Sequence, residues 1–225
     1  MGIPAYTFFA GVGSVAAYAC FIYLQVLNDA DIRKNTFACC AGLLGLAIGA
    51  RALGILSYHI AAINAGRAIP PEDILRGGLV FYGGLYGFLL VYRITVRFQK
   101  RELQESLDTV TVCIPLFHSI ARVGCYYAGC CYGIQTEAGR RIPVSLIEAG
   151  FNVMIFVLLY MLLIKNIAKN HLIMVYLLVY SLIRFCLEFL RGDQARGFIG
   201  FLSVSQVISA LTLIMIVTYI IKVNQ

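Results

Sequence analysis

The sequence predicts an all-α membrane protein, a bundle of about seven transmembrane helices. Three observations predict it: 60% of the 225 residues are apolar, the mean hydropathy is +0.84, and only 13% are charged. Soluble domains carry about 25% charged residues, so this composition excludes a soluble protein and also a disordered chain. The length and the absence of any long polar segment fit a single transmembrane domain over residues 1–225.

Seven segments are long enough to cross a bilayer, which needs about 20 apolar residues per helix. In chain order they are residues 5–27, 36–56, 78–97, 108–127, 144–165, 171–190 and 199–221. Short polar stretches separate them, and several of these contain the Gly and Pro residues typical of turns. The fourth and sixth spans are imperfect, because Arg122 lies in one and Arg184 and Glu188 lie in the other.

The basic residues predict the orientation. An odd number of spans places the termini on opposite sides of the membrane. One set of loops holds Arg33, Lys34, Arg97, Lys100, Arg101, Lys165, Lys169 and Lys222, and the other holds Arg67, Arg76, Arg140, Arg141, Arg191 and Arg196. By the positive-inside rule, we expect the first set and the C-terminus to be cytoplasmic and the N-terminus to be outside.

The net charge of +7 is also explained by membrane orientation and lipid headgroups. We expect no nucleic-acid partner, because the chain has no basic stripe with interleaved aromatic residues. The first apolar run lacks a preceding charged segment, so we expect it to stay in the mature protein rather than be removed as a signal peptide.

Charged residues within the spans are candidates for function, because each costs at least about 2.5 kcal/mol on insertion scales. In the sixth span Arg184, Glu188 and Arg191 follow an i, i+4, i+7 spacing, which puts them on one helical face. We expect this face to line a cavity, with Glu188 holding the two guanidinium groups in place. The alternative is an internal salt bridge that only joins helices.

The fourth span repeats this spacing with His118, Arg122 and Cys125. An imidazole one helical turn from a cation is a candidate base, and a structural histidine is the alternative. Two glycine-rich segments, one around Gly83 and Gly84 and one over residues 124–133, could bind an anion through exposed amides. Glycine is also frequent where membrane helices pack closely, so packing stays open as an alternative.

Cys125, Cys130 and Cys131 form a C-x4-C-C pattern near Arg122, which would favour the thiolate form. Packing or a structural disulfide, direct catalysis through a covalent lipid relay, and metal binding are the alternatives. The pattern lacks the C-x2-C pairs and the histidine partner of common zinc sites, so we expect no metal here and no other cofactor.

The order of these motifs resembles the prolipoprotein diacylglyceryl transferase family over about residues 76–215. The matching residues are Phe81-Tyr82-Gly83-Gly84-Leu85, Arg122-Val123-Gly124, Gly129, Gly133, Pro143, Glu148, Tyr180, Arg184, Glu188 and Arg191, with Ser203, Ser205 and Gln206 near the end. The resemblance implies a seven-helix bacterial inner-membrane transferase. Its donor would be phosphatidylglycerol or a similar phospholipid, and its acceptor the lipobox cysteine thiol of a preprotein.

The resemblance also implies roles for individual residues. Arg122 and Arg184 would bind the lipid phosphate between the third, fourth and sixth helices, and Tyr82 or His118 would handle protons. The implied substrate-binding residues are Gly83, Gly84, Gly124, Cys125, Gly129, Cys130, Cys131, Gly133, Glu148, Glu188 and Arg191, with Arg191 at the outer mouth.

The chain departs from the family pattern on the acceptor side. Tyr82 stands where the family has His, and Cys125 and Cys130 stand where it has Asn and Glu. Beside Glu148, Ser145 and Ile147 replace Gln and Tyr. Two other functions therefore stay open: a non-catalytic phospholipid-binding membrane protein, and a membrane thiol-disulfide oxidoreductase that uses the three cysteines.

Overall fold

The computed structural model describes residues 4–28, 30–100, 103–192 and 197–223. It is 76% helical, and seven α-helices lie within these ranges. They are α1 (Ala5–Leu27), α2 (Ile32–Asn64), α3 (Phe81–Phe98), α4 (Leu103–Tyr127), α5 (Val144–Ile164), α6 (Leu172–Leu187) and α7 (Val204–Val223). Short 3-10 helices cover Pro71–Asp73 and Glu188–Leu190, and two strands, β1 (Phe198–Ile199) and β2 (Leu202–Ser203), pair antiparallel. The predicted all-α membrane fold class is confirmed.

Six of the helices in the described ranges are long and apolar enough to cross a membrane. The exception is α3, whose second half carries Arg93 and Arg97. The predicted second span was too short, because α2 runs for 33 residues. Its start is fixed by Asp31, whose side chain accepts a hydrogen bond from the Lys34 amide at 3.1 Å and so caps the helix.

The predicted seventh span began too early. Residues 198–203 form the β1–β2 hairpin, with Gly200 in the left-handed region at φ 62°. Helix α7 starts only after Ser203, whose hydroxyl accepts from the Gln206 amide at 3.2 Å while the Gln206 side chain accepts from the Ser203 amide at 3.0 Å. This reciprocal capping box ends the hairpin and begins the helix.

The chain divides into two compact units. The first contains α1, α4 from Gln104 onward, α5, α6 and the part of α7 from Ser209 onward; the second contains α2, α3, the hairpin and the first turn of α7 through Ile208. The single transmembrane domain over residues 1–225 stays a prediction.

In the second unit, α2 and α3 touch through their backbones. A Cβ atom added to Gly49 would lie 2.2 Å from the Gly83 carbonyl oxygen, and one added to Gly83 would lie 2.2 Å from the Gly49 oxygen. Gly45 and Gly87 face each other in the same way, at 2.3 and 2.2 Å. Any side chain at these positions would push the helices apart, so the glycines explain the close contact.

Arg51, a charged residue within the predicted second span, makes hydrogen bonds to the backbone of the same unit. Its guanidinium donates to the backbone carbonyl of Gly77 at 2.5 Å and to that of Leu75 at 2.8 Å. The arginine therefore ties the segment before α3 to the middle of α2.

In the first unit, α1 packs on α4 at two glycines. A Cβ on Gly13 would lie 3.1 Å from the Phe117 carbonyl oxygen, and a Cβ on Gly124 would lie 2.8 Å from the Phe9 side chain. The Phe9 and Tyr127 rings stack beside this contact with centroids 5.4 Å apart. The contact orients α4, which carries several candidate site residues.

We predict that Gly49→Ala destabilises the protein, because its methyl group has no room against the α3 backbone. Overpacking of this kind costs about 1–3 kcal/mol. Thermal unfolding in detergent would measure the loss, with Gly150→Ala in α5 as control, since a Cβ there meets nothing within 4 Å. Equal stability of the two variants would contradict the close α2–α3 contact.

Candidate active site

A buried network of charged side chains joins α4, α5 and α6 within the first unit. Glu148 of α5 lies at its centre: one carboxylate oxygen, Oε1, is 3.0 Å from Nη2 of Arg122 on α4. The other, Oε2, is 2.9 Å from Nη1 of Arg184 on α6. The Glu148 residue is only 1% exposed, so both ion pairs lie in a medium that screens them poorly.

A second carboxylate extends the network beyond α6. Oε2 of Glu188 is 2.9 Å from Nη2 of Arg184 and 3.7 Å from Nη1 of Arg191. The i, i+4, i+7 spacing therefore does bring these three side chains together, and the predicted pairing of Glu188 with both arginines is present. Their roles toward a substrate stay predictions.

Among the described residues that form these ion pairs, the arginines outnumber the carboxylates. The network contains three guanidinium groups, on Arg122, Arg184 and Arg191, against the two carboxylates of Glu148 and Glu188. All three arginines are buried. Each guanidinium group carries several N–H donors, so the arrangement brings buried donors together where a negatively charged oxygen could be bound.

His118 is tied to the network through Arg122. Its Nε2 accepts a hydrogen bond from Nε of Arg122 at 3.2 Å, whereas the same nitrogen is 3.7 Å from Glu148, beyond hydrogen-bond distance. A guanidinium only donates, so Nε2 supplies its lone pair to this hydrogen bond. Tyr180 completes the surroundings, since its hydroxyl donates to Oε1 of Glu148 at 3.3 Å and its ring packs against His118.

Local chain geometry places these groups. Helix α5 begins after Pro143, which puts Glu148 in its second turn. At the end of α6 the 3-10 turn Glu188–Leu190 redirects the chain, and Arg191 then forms a β-bridge with Gly133. A Cβ on Gly133 would lie 2.6 Å from the Ile142 carbonyl oxygen, so this glycine permits the loop after α4 to fold tightly.

The three predicted cysteines converge. The sulfur atoms of Cys125, Cys130 and Cys131 all lie within 4.8 Å of one another, and all eight cysteines of the chain carry thiols rather than disulfides. The turn that brings them together has two residues in the left-handed region, Gly129 at φ 69° and Cys131 at φ 55°. Ser145 stabilises it, donating from Oγ to the Cys131 carbonyl at 3.0 Å.

At Cys130, the lowering of the thiol pKa expected from the nearby Arg122 is smaller than the influences that raise this pKa. Burial, followed by the neighbouring Cys131, raises the pKa of the Cys130 thiol above its ordinary value, and the smaller opposing influence of Arg122 does not reverse this. Arg122 alone therefore does not make Cys130 a thiolate at neutral pH.

Three predicted site residues lie in the second unit. Tyr82 is 1% exposed and stacks on Tyr86 with ring centroids 6.2 Å apart. Gly83 contacts the α2 backbone, and a Cβ on Gly84 would lie 3.3 Å from Ala50. Helix packing accounts for both glycines, as it does for Gly124 in the first unit, and their assignment to substrate binding stays a prediction.

The central position of Glu148 was missed by reasoning from charge alone. The sequence did hold a signal, because Glu148 is an acidic residue inside the apolar stretch 144–165, which insertion costs disfavour as strongly as the arginines. In the sequence, Tyr180 stood out only as one of the residues that carry the family resemblance. An isolated tyrosine in an apolar helix does not indicate a carboxylate partner.

Comparison with known proteins gives the same family for nearly the whole chain. Residues 1–222 match the family described as prolipoprotein diacylglyceryl transferase. The chain is 28% identical to a phosphatidylglycerol–prolipoprotein diacylglyceryl transferase 2 of Clostridium perfringens, over 94% of this chain and 88% of that protein. It is 29% identical to a phosphatidylglycerol–prolipoprotein diacylglyceryl transferase of Clostridium novyi, over 68% of this chain and 67% of the relative.

We predict that Glu148→Gln lowers the free energy of unfolding by about 3–5 kcal/mol, because it leaves two buried guanidinium groups without their shared carboxylate. Asp31→Asn is the matched control: it removes the charge from the exposed Lys34 pair but keeps a capping side chain, and it should cost less than about 1 kcal/mol. Denaturant unfolding in micelles measures both. A loss for Glu148→Gln no larger than that of the control would show that the network does not stabilise the fold.

Proposed function

The chain belongs to the prolipoprotein diacylglyceryl transferase family, and we propose that it transfers the diacylglyceryl group of phosphatidylglycerol to an acceptor thiol in lipoprotein biosynthesis. The default acceptor is the lipobox cysteine of a preprotein. The chain is a multi-pass bacterial membrane protein. We place it in the cytoplasmic membrane, with the N-terminus outside and the C-terminus in the cytoplasm.

The observation that carries the proposal is the buried network of three arginines and two glutamates. The phosphodiester of phosphatidylglycerol is negatively charged, and the network brings three guanidinium groups together around two carboxylates. Guanidinium groups bind phosphate oxygens in a bidentate manner, and they do so more strongly away from water. The network thus combines the charge, the donors and the low exposure that a lipid phosphate requires.

The reaction follows from this placement. The acceptor sulfur forms a bond to the carbon of the diacylglyceryl group that carries the phosphate. The bond between that carbon and the phosphate oxygen breaks. Glycerol phosphate leaves with the electron pair, and the thiol proton passes to solvent. Arg122 and Arg184 would stabilise the charge that develops on the departing phosphate, as preorganised donors do in other transferases. Glu148 and Glu188 would orient the two guanidinium groups.

The remaining assignments extend the site around this phosphate. Arg191 would guide the headgroup at the outer mouth. Gly129 and Gly133 would allow the backbone of the loop after α4 to approach the lipid closely. Because the His118 lone pair accepts from Arg122, we assign His118 to positioning Arg122 rather than to removing a proton.

Two other functions have a specific observation in their favour. Tyr82 in place of the family histidine favours a protein that binds phospholipid without turnover. The mutual proximity of three sulfur atoms favours a thiol-disulfide oxidoreductase. The first would yield purified protein with bound lipid and no product. The second would show a change in the count of reactive thiols on reduction.

We predict that Arg122→Ala lowers transfer from labelled phosphatidylglycerol to a lipobox peptide by at least about 100-fold, because removing a donor to a developing negative charge has an effect of this size. Arg97→Ala is the control, since Arg97 is an exposed arginine at the end of α3, and it should keep wild-type activity. Full transfer by Arg122→Ala would overturn the phosphate assignment. No transfer by the wild type, with lipid still bound, would favour the non-catalytic function.

We predict that His118→Gln retains transfer within about tenfold of wild type, because a glutamine oxygen can accept the Arg122 hydrogen bond. The pH profile of kcat/KM should keep its shape. A general base contributes about 10²–10⁴-fold. A loss of that size, accompanied by disappearance of one limb of the pH profile, would show instead that His118 removes the proton.

A further inference from the structure

We propose that Cys125, Cys130 and Cys131 bind a thiophilic divalent cation such as Zn²⁺ through three thiolates, and that the acceptor thiol occupies the fourth coordination position. The metal site is inferred from geometry alone, whereas its role with the acceptor rests on the proposed function. The spacing of the cysteines in the sequence did not favour a metal over the alternatives, because two of the three are adjacent and the third is five residues away.

The distances suit one ion. Zinc binds thiolate sulfur at about 2.3 Å, so three sulfurs around a tetrahedral ion lie roughly 3.8 Å apart. The three sulfur atoms here all lie within 4.8 Å of one another, and movements of less than about an ångström would bring them to that spacing. A disulfide needs only two neighbouring sulfurs, so the convergence of all three is better explained by a metal.

The backbone is shaped to produce this convergence. Adjacent side chains on an extended chain point in opposite directions, yet Cys130 and Cys131 both direct their sulfurs toward Cys125. The left-handed φ of 55° at Cys131 makes this possible, in a backbone conformation that is strained for a residue with a side chain. The Ser145 hydroxyl holds the strained turn by donating to the Cys131 carbonyl. Strain maintained in this way is typical of ligand clamps.

The ligand set also defines the metal class and leaves a position open. Thiolates select soft ions such as zinc over magnesium or calcium. Catalytic zinc sites keep three protein ligands and an open fourth position, whereas structural sites use four. Cys125 is buried and Cys130 is exposed, so the cluster reaches from the interior to the surface, where an acceptor can approach.

The site gives the acceptor thiol the activation that transfer requires. A thiol that binds the metal loses its proton to solvent, and the bound thiolate is the nucleophile. Its sulfur then attacks the glycerol carbon while the carbon–oxygen bond to phosphate breaks. Cys125 follows Arg122 by three residues on α4, so the two side chains project from the same helical face. The nucleophile and the leaving phosphate would therefore meet at one end of α4.

The first test is metal binding by the full chain. Reduced, metal-stripped protein in micelles is titrated with Co²⁺, and we expect saturation at one ion per chain with thiolate-to-metal absorption bands that Zn²⁺ abolishes. Cys125→Ser, Cys130→Ser and Cys131→Ser should each weaken binding at least tenfold. Cys186→Ser, at an exposed cysteine on α6, should bind as the wild type does. Absence of saturable binding, or equal binding by the serine variants, would overturn the proposal.

A second measurement decides the matter if the serine variants do not fold. Alkylation of the wild-type protein, mapped by mass spectrometry, should show that Zn²⁺ protects these three cysteines and leaves Cys40 and Cys186 reactive. Lack of protection, or a disulfide within the cluster in protein purified without reductant that persists with Zn²⁺ present, would contradict the site.

The transfer assay separates the two proposals. We expect a chelator to lower transfer from phosphatidylglycerol to the lipobox peptide at least tenfold and added Zn²⁺ to restore it. Undiminished transfer by metal-free protein would reject acceptor activation and leave the transferase function intact. Stoichiometric metal binding with no transfer under any condition would reject the transferase function and leave the metal site intact.

Discussion

The sharing of one carboxylate by two buried guanidinium groups is the constraint on which the first unit depends. Glu148 lies 3.0 Å from Arg122 and 2.9 Å from Arg184. Helices α4, α5 and α6 must therefore pack so that these three side chains lie at the same height along the helix axes. Any one of the charges alone would be costly in apolar surroundings. Together they are tolerated only in this arrangement, which makes the network a condition for packing as well as the centre of the candidate site.

The two units use different means to hold helices together. In the second unit, glycines let the backbones of α2 and α3 touch, and the contact excludes anything larger than hydrogen at Gly49 and Gly83. In the first unit, the ion pairs of Glu148 hold three helices with long side chains between them. Close backbone packing leaves no room for a ligand, whereas a layer of arginine side chains leaves donors that a ligand can use. This difference favours the first unit as the place of phosphate binding.

Length and hydropathy predicted the helices well, because the width of a bilayer fixes how many apolar residues a span needs. They failed where local hydrogen bonding sets the boundary, as at the Ser203–Gln206 capping box that delays α7. In the site, helical periodicity predicted contacts within one helix, such as Arg184 with Glu188. It gave no account of Glu148, whose partners lie on other helices. The convergence of the cysteines depends on the positive φ of Cys131. No residue pattern in the sequence predicts that angle.

The use of arginine rather than lysine throughout the network follows from the number of directions in which each group must donate. Arg184 reaches Glu148 through Nη1 and Glu188 through Nη2, and Arg122 reaches His118 through Nε and Glu148 through Nη2. A lysine ammonium on its flexible stem could not make such paired contacts in a fixed geometry. A guanidinium has five N–H donors, and the contacts of Arg122 with the described part of the chain engage two of its three nitrogens. A phosphate oxygen could thus be added at the third nitrogen without breaking an ion pair, so the lipid would bind to an arrangement that already exists.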